Sequence, residues 1–219
     1  MAMIDVIGIG PGNPDLGLLS QDRLFQQADK IIGSKRHLAV VPDIYRHKER
    51  IAPKKLADLA VLLSKEMPQQ NLVYLVSGDP LIYGLGKWLS EKFPTSVRIW
   101  PGISSIQYLA SRISLPLNDS YITSSHAKNP DYDRIFALEK VFMVTDQKIG
   151  PYQLAQESLM RGCQKYFIIG ENLSYPEERI EIYSAEEVED RTYDMNVVVI
   201  INERFSIFTG QGANDKSGC

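Results

Sequence analysis

Cysteine is nearly absent from this chain. Only Cys163 and Cys219 occur in 219 residues, too few for a disulfide scaffold. Histidine is as scarce: His37, His47 and His126 share no ligand spacing, so no metal held by protein side chains is expected. No apolar stretch approaches membrane-spanning length. The opening Met-Ala-Met-Ile-Asp-Val lacks the basic-then-apolar build of a signal peptide, so the cytosol is the expected compartment. Neither sign of charge dominates. A net charge of -3 gives no electrostatic case for nucleic acid. What remains is an ordinary globular composition, 44% hydrophobic and 23% charged, long enough for one large domain or two small ones.

Two phosphate-binding signatures are also missing. Gly8-Ile9-Gly10-Pro11-Gly12 follows a first strand over residues 4–9, but its third glycine comes one place early for a dinucleotide fingerprint. Pro11 and Pro14 delay the helix that would receive a pyrophosphate, and Lys30-Ile31-Ile32 runs into Gly33-Ser34-Lys35-Arg36 with no acidic residue after it. Gly86-Lys87 leads to Trp88, not to the hydroxyl that a Walker loop requires.

The stretch that organises the chain is Leu72 to Gly86. Leu72 to Val76 is an uninterrupted apolar run, the pattern of a strand buried on both faces of a parallel sheet. It stops at Ser77-Gly78-Asp79-Pro80. Gly78 can adopt backbone angles closed to other residues, and Pro80 extends Asp79 and is expected to start the next helix. Such a corner at a strand's carboxyl end is where open α/β sheets bind ligands, although a plain strand-to-helix turn reads the same way.

Around it, strands and helices alternate. Ser20 is expected to cap a helix through Ala28, followed by a short strand at Ile31-Ile32 and a basic loop over residues 33–37. The charges of that loop read equally as a solvated surface. Residues 45–50 are expected at the surface. Leu56, Leu59, Leu62 and Leu63 mark an amphipathic helix within 54–65. Residues 97–100 form a strand that ends at Pro101-Gly102-Ile103-Ser104-Ser105, where either serine can cap the next helix, through Ser111. The later half begins at Tyr121 to His126. It has strands over 141–144, 166–169, 178–183 and 196–202 and a helix over 151–160 with Pro151 at its start. The expected fold is α/β, with two α/β domains over residues 1–115 and 118–203. The boundary is placed at Leu115-Pro116-Leu117-Asn118. Residues 204–219 have little to bury and are expected to be a disordered tail.

Three motifs in this order, Gly8-x-Gly-Pro-Gly12, Ser77-Gly-Asp-Pro80 and Pro101-Gly-Ile-Ser-Ser105, resemble those of the tetrapyrrole (corrin/porphyrin) methylase family. Gly33-Ser-Lys-Arg-His-Leu38, Ser124-Ser-His126, Thr145-Asp146 and the run from Gly170 to Ile180 resemble the branch that acts at C5 of the corrin ring in cobalamin biosynthesis. The match covers residues 4 to about 202. One departure is Ala127-Lys128, where relatives tend to have Gly-Arg.

The resemblance implies a two-domain α/β fold with the active site in the cleft between the domains, S-adenosylmethionine as methyl donor, and a homodimer. The implied reaction is methylation of cobalt-precorrin-6B at C5, giving cobalt-precorrin-7, by a free-standing form without a fused decarboxylating module. Cobalt would arrive inside the substrate. Pro11, Gly78, Asp79, Ile82, Tyr83, Ser104, Ser105 and Thr145, at strand ends, are the expected donor-binding residues. Lys35, Arg36, His37 and Lys128 are the cations expected around the carboxylates of the corrinoid. His126 is the candidate for moving a proton, with the alternative that it only hydrogen-bonds a loop or a substrate carboxylate. A related methylase of another tetrapyrrole position, or a nucleotide-binding module without catalysis, stays open beside this reading.

Overall fold

A computed structural model describes residues 3–126 and 129–203. The expected tail and Lys128 lie outside the described residues. The chain divides into two units, Met1–Ser105 and Ile106–Cys219.

The first unit contains β1 (Ile4–Gly8), α1 (Ser20–Gln27), β2 (Lys30–Gly33), α2 (Lys35–Leu38), β3 (Glu49–Ile51), α3 (Leu56–Glu66), β4 (Leu72–Val76), α4 (Gly86–Lys92) and β5 (Val97–Trp100). Its sheet runs β3-β2-β4-β1-β5 with every pairing parallel. All five residues of β1 and of β4 are buried, which is why their side chains are almost entirely apolar. Successive side chains feed opposite faces. Ile7, Val73 and Leu75 pack with Leu24 and Phe25 of α1, whereas Ile4, Val6, Leu72 and Tyr74 pack with Leu59 and Leu63 of α3 and Leu89 of α4. The exception is Asp5. Its buried carboxylate accepts from Arg98 Nε and Nη2, each at 2.8 Å, and from Trp100 Nε1 at 2.7 Å. The donors come from β5, the neighbouring edge strand, so the charge is fully partnered.

Four local expectations are corrected. Leu19, not Ser20, occupies the cap position of α1, and no side chain caps it. Pro80 does not start a helix: residues 80–85 form turns and α4 begins at Gly86. Residues 35–38 are a helical turn rather than a loop, capped by Ser34 Oγ, which accepts from His37 N at 3.2 Å. Residues 45–50 are not simply surface. Tyr45 is buried edge-on against Phe25, and Lys48 Nζ donates to the Phe25 and Gln26 carbonyls at the end of α1. Charged side chains on a short 3-10 turn hid that packing from any periodic pattern.

The second unit holds α5 (Ser105–Arg112, which starts at the division), β6 (Tyr121–Ser124), α6 (Tyr132–Ala137), β7 (Lys140–Val144), α7 (Pro151–Met160), β8 (Tyr166–Glu171), β9 (Arg179–Ser184) and β10 (Asn196–Ile201). Its sheet runs β6-β7-β10-β8-β9. Only β6 and β7 pair in parallel, and the other three pairings are antiparallel. Ile135 and Phe136 of α6 and Leu154 and Ala155 of α7 cover Val141, Met143, Phe167, Ile169, Val198 and Ile200. The division falls ahead of the expected boundary at Leu115. Leu109 of α5 belongs to the second unit because it lies against Gly170 of β8, where a Cβ would come within 3.0 Å of its side chain. Among the described residues no helix is long and apolar enough to cross a membrane.

Candidate active site

Parallel strands deliver all their carboxyl ends to one edge. In the first unit this brings the three glycine-containing motifs together. Gly10 and Gly78 face each other across an isolated bridge, with Gly78 N donating to Gly10 O at 2.7 Å. Both have positive φ, 84° and 61°. A Cβ on Gly8 would strike the Gly78 carbonyl and come within 2.7 Å of Gly102 N; one on Gly102 would lie 2.6 Å from Gly8 O. The three loops therefore meet backbone to backbone, which only glycine permits at these points.

Asp79 locks the junction. Its Oδ1 accepts from Leu81 N at 2.8 Å and its Oδ2 from Gly102 N at 3.2 Å. The carboxylate thus curls the chain after β4 and ties it to the loop after β5. Beyond Pro80, Ile82 N bonds Asp79 O at 3.2 Å, and Tyr83, half exposed, takes a φ of 55°. For a tyrosine that is a strained backbone, a feature that clusters at ligand sites. Pro11 and Ser104 are buried beside the junction, and Ser105 opens α5. Seven of the eight expected donor residues therefore share one edge of the first sheet. Thr145 belongs to the second unit.

The expected basic loop is more specific than a patch of charge. Arg36 Nη2 donates to Ser77 Oγ at 2.8 Å, and His37 Nε2 lies 2.8 Å from the same oxygen. Burial, reinforced by the Arg36 guanidinium, lowers the His37 pKa to about 4. His37 is therefore neutral at pH 7 and is not one of the cations. Lys35 and Arg36 are exposed. Ser77 was legible only as part of a turn, because its partners lie 40 and 41 residues away.

In the second sheet β6, β7 and β8 run in the same direction, so Ser125, Thr145 and Asn172 follow strands that end on one edge. Ser125 Oγ donates to Ile149 O and accepts from Asp146 N, both at 3.1 Å, which joins the loops after β6 and β7. Ser124 Oγ accepts from His126 N at 3.1 Å and lies 3.0 Å from His126 Nδ1. When the Ser124 hydroxyl donates to Nδ1, the ring proton sits on Nε2, which then presents a donor. Thr145 Oγ1 donates to Asn196 Oδ1. Asn196 and Asp146 line a cavity of about 600 Å³ together with Arg191 and Tyr193. Arg191 forks onto the buried Glu171 carboxylate at 3.0 and 2.5 Å and stacks 3.8 Å from the Tyr193 ring centroid. Glu171 lies in the Gly170 to Ile180 run, but nothing in the sequence marked Arg191 as its partner.

The sequence model of the Tetrapyrrole (Corrin/Porphyrin) Methylases matches residues 3–189. The chain belongs to the tetrapyrrole methylase family. It is 37% identical over 206 residues to the cobalt-precorrin-7 C(5)-methyltransferase of Salmonella typhimurium, covering 92% of this chain and 100% of that protein. The precorrin-6Y methylase structure from Archaeoglobus fulgidus superposes with a TM-score of 0.76 at 22% identity, over 92% of this methylase and 99% of that chain. The uroporphyrin-III C-methyl transferase from Thermus thermophilus, complexed with S-adenyl homocysteine, gives 0.73 at 23% identity, over 91% and 97%.

Proposed function

We propose that this methylase transfers the methyl group of S-adenosylmethionine to C5 of cobalt-precorrin-7, the corrinoid for which its relative is named, in place of the cobalt-precorrin-6B expected above, in cobalamin biosynthesis. The observation that carries this reading is the 37% identity to a C(5)-methyltransferase along that protein's whole length. When bound, S-adenosylmethionine supplies an electrophilic methyl on a sulfonium leaving group. Displacement at that methyl needs no enzyme nucleophile, so the protein's work is alignment and exclusion of water. The residues present fit such a ligand. The first unit's edge presents backbone from tightly apposed glycine loops, and Asp79 supplies an acidic side chain at the junction.

Gly78, Asp79, Ile82, Tyr83, Pro11, Ser104 and Ser105 form the donor surface of the first unit, and Thr145 that of the second. Asp79 acts chiefly by holding the loops in shape, with its negative charge favouring the sulfonium. Lys35 and Arg36 bind carboxylates of the macrocycle. Lys128, a further cation expected there, is outside the described residues. His126 donates from Nε2 to an acceptor on the substrate, the second of the two roles its sequence context suggested. The working enzyme is a cytosolic homodimer.

The test is a mass spectrum of cobalt-precorrin-7 after incubation with the protein and isotopically methyl-labelled donor. One labelled methyl, located at C5 by NMR, is expected. No gain of mass, or a methyl at another carbon, overturns the assignment.

A further inference from the structure

Ser77 ends β4 with its hydroxyl between two side chains from α2. Arg36 Nη2 and His37 Nε2 are each 2.8 Å from Ser77 Oγ, and 3.5 Å from each other. Gly33 makes the approach possible: a Cβ there would sit 3.1 Å from His37 Cβ and 3.3 Å from Leu75 Cβ, so a larger residue would push α2 away from the strand end.

The directions of these bonds follow from what each group can do. A guanidinium has donors only, so Arg36 donates and Ser77 accepts. His37 also hydrogen-bonds the Leu75 backbone carbonyl. A carbonyl accepts, so that ring nitrogen carries the proton and Nε2 keeps a lone pair. Nε2 therefore accepts the Ser77 hydroxyl proton. The bonds run one way, from Arg36 to Ser77 to His37 to the Leu75 carbonyl, and every donor in the line has an acceptor.

Such a line can move a proton or hold a group still. A general base works best with a pKa near the working pH. A proton delivered through Ser77 would create an imidazolium beside the Arg36 guanidinium, in a half-buried place where burial and that same charge already oppose it. Holding Arg36 still carries no such penalty. An exposed arginine that must bind an anion otherwise gives up rotamer freedom on binding, and fixing it beforehand removes that loss.

We propose that Ser77 and His37 are positioning residues that fix the Arg36 guanidinium in one orientation to receive a carboxylate of the macrocycle. This rests on the corrinoid reading above. It extends that reading by assigning the orientation of the anion clamp to two side chains that need not touch the substrate.

The experiment is a kinetic cycle on the full chain with cobalt-precorrin-7, combined with calorimetry of donor binding. Ser77→Ala is expected to raise the corrinoid KM about 3- to 20-fold, with kcat within about twofold and donor affinity unchanged. Ser77→Thr, which keeps the hydroxyl, is expected to restore KM. In an Arg36→Ala background Ser77→Ala should add nothing, since both changes remove one unit. A fall in kcat at constant KM would assign the line to proton movement instead. An unchanged KM, or effects that multiply in the double variant, would overturn the proposal. The wild type offers a readout free of any folding defect. The His37 imidazole nitrogen signals should show the Nδ1–H tautomer at neutral pH, and a proton on Nε2 would refute the line. A wild type with no activity on cobalt-precorrin-7 defeats the functional reading and the carboxylate with it. An active wild type that fails either test above defeats only the positioning role.

Discussion

The two sheets of this methylase build their loop edges by different means. In the first, all pairings are parallel, and the loops after β1, β4 and β5 interlock through backbone at Gly8, Gly10, Gly78 and Gly102. In the second, antiparallel β10 separates β7 from β8, and its edge is joined by side chains instead: Ser125 to Asp146, Thr145 to Asn196, and Arg191 to Glu171. A parallel sheet brings neighbouring loops to one edge with little room between them, so glycine is needed there. A mixed sheet interleaves strand ends with strand starts, and side chains can bridge the wider gaps. The first edge should therefore be intolerant of added atoms, and the second should depend on particular polar groups.

The largest expected effect tests this directly. Gly8→Ala places a methyl on the Gly78 carbonyl and near Gly102 N, neither of which can swing aside, and is expected to cost about 3 kcal/mol of stability. Gly170→Ala in the second sheet meets only the side-chain ends of Leu173 and Leu109, and should cost about 1 kcal/mol. Urea unfolding of both variants decides the matter; equal losses would break the contrast between the edges.

Next in size is Asp79→Ala. It strands two backbone N–H groups, so donor binding measured by calorimetry should weaken by about 2 kcal/mol. Asp79→Asn retains one acceptor oxygen and should lose roughly half as much. Undiminished binding in a folded Asp79→Ala protein would show that the junction does not shape the donor site.

His126→Ala probes the second edge. With Nδ1 taken by Ser124, loss of the Nε2–H donor should raise the corrinoid KM about tenfold and leave kcat within about threefold. A fall in kcat of about 100-fold would instead return His126 to proton transfer.

The smallest effect is on acid stability. His37 has a pKa near 4 in the folded protein against an unfolded 6.5. Between those values the unfolded chain binds a proton that the folded chain does not, so stability falls as pH drops from 6.5 towards 4. Partial solvation of the cluster limits the loss to about 1 kcal/mol. His37→Gln should flatten this part of the stability–pH curve, and an unaltered slope would mean that His37 is not held neutral.

The strands at 72–76 and 97–100 and the helix at 151–160 were legible to the residue. The first is a continuous apolar run bounded by a polar, glycine-containing turn, and the helix has a proline at its first position. The glycine motifs were legible as loops at strand ends for the same local reason. Where the reading failed, a distant group had intervened. Residues 80–85 form turns, tied through Asp79 to Gly102, where Pro80 could have started a helix. Phe25 drew Tyr45 into the core, and burial with Arg36 stripped His37 of the charge its residue type suggested.

The sequence alone thus determined the α/β alternation, the glycine-containing turns at strand ends and, through three motifs in order, the family. These depend on apolar runs and turn residues a few positions apart, where chain geometry leaves little choice. Only the tertiary structure decided which of those residues meet. Glycines 68 positions apart close on one another because β1 and β4 are parallel neighbours. Arg36, His37 and Ser77 meet because β2 and β4 are also paired, and that contact sets the charge of His37. Strand order and burial fix such contacts, and neither is written in any local stretch of chain.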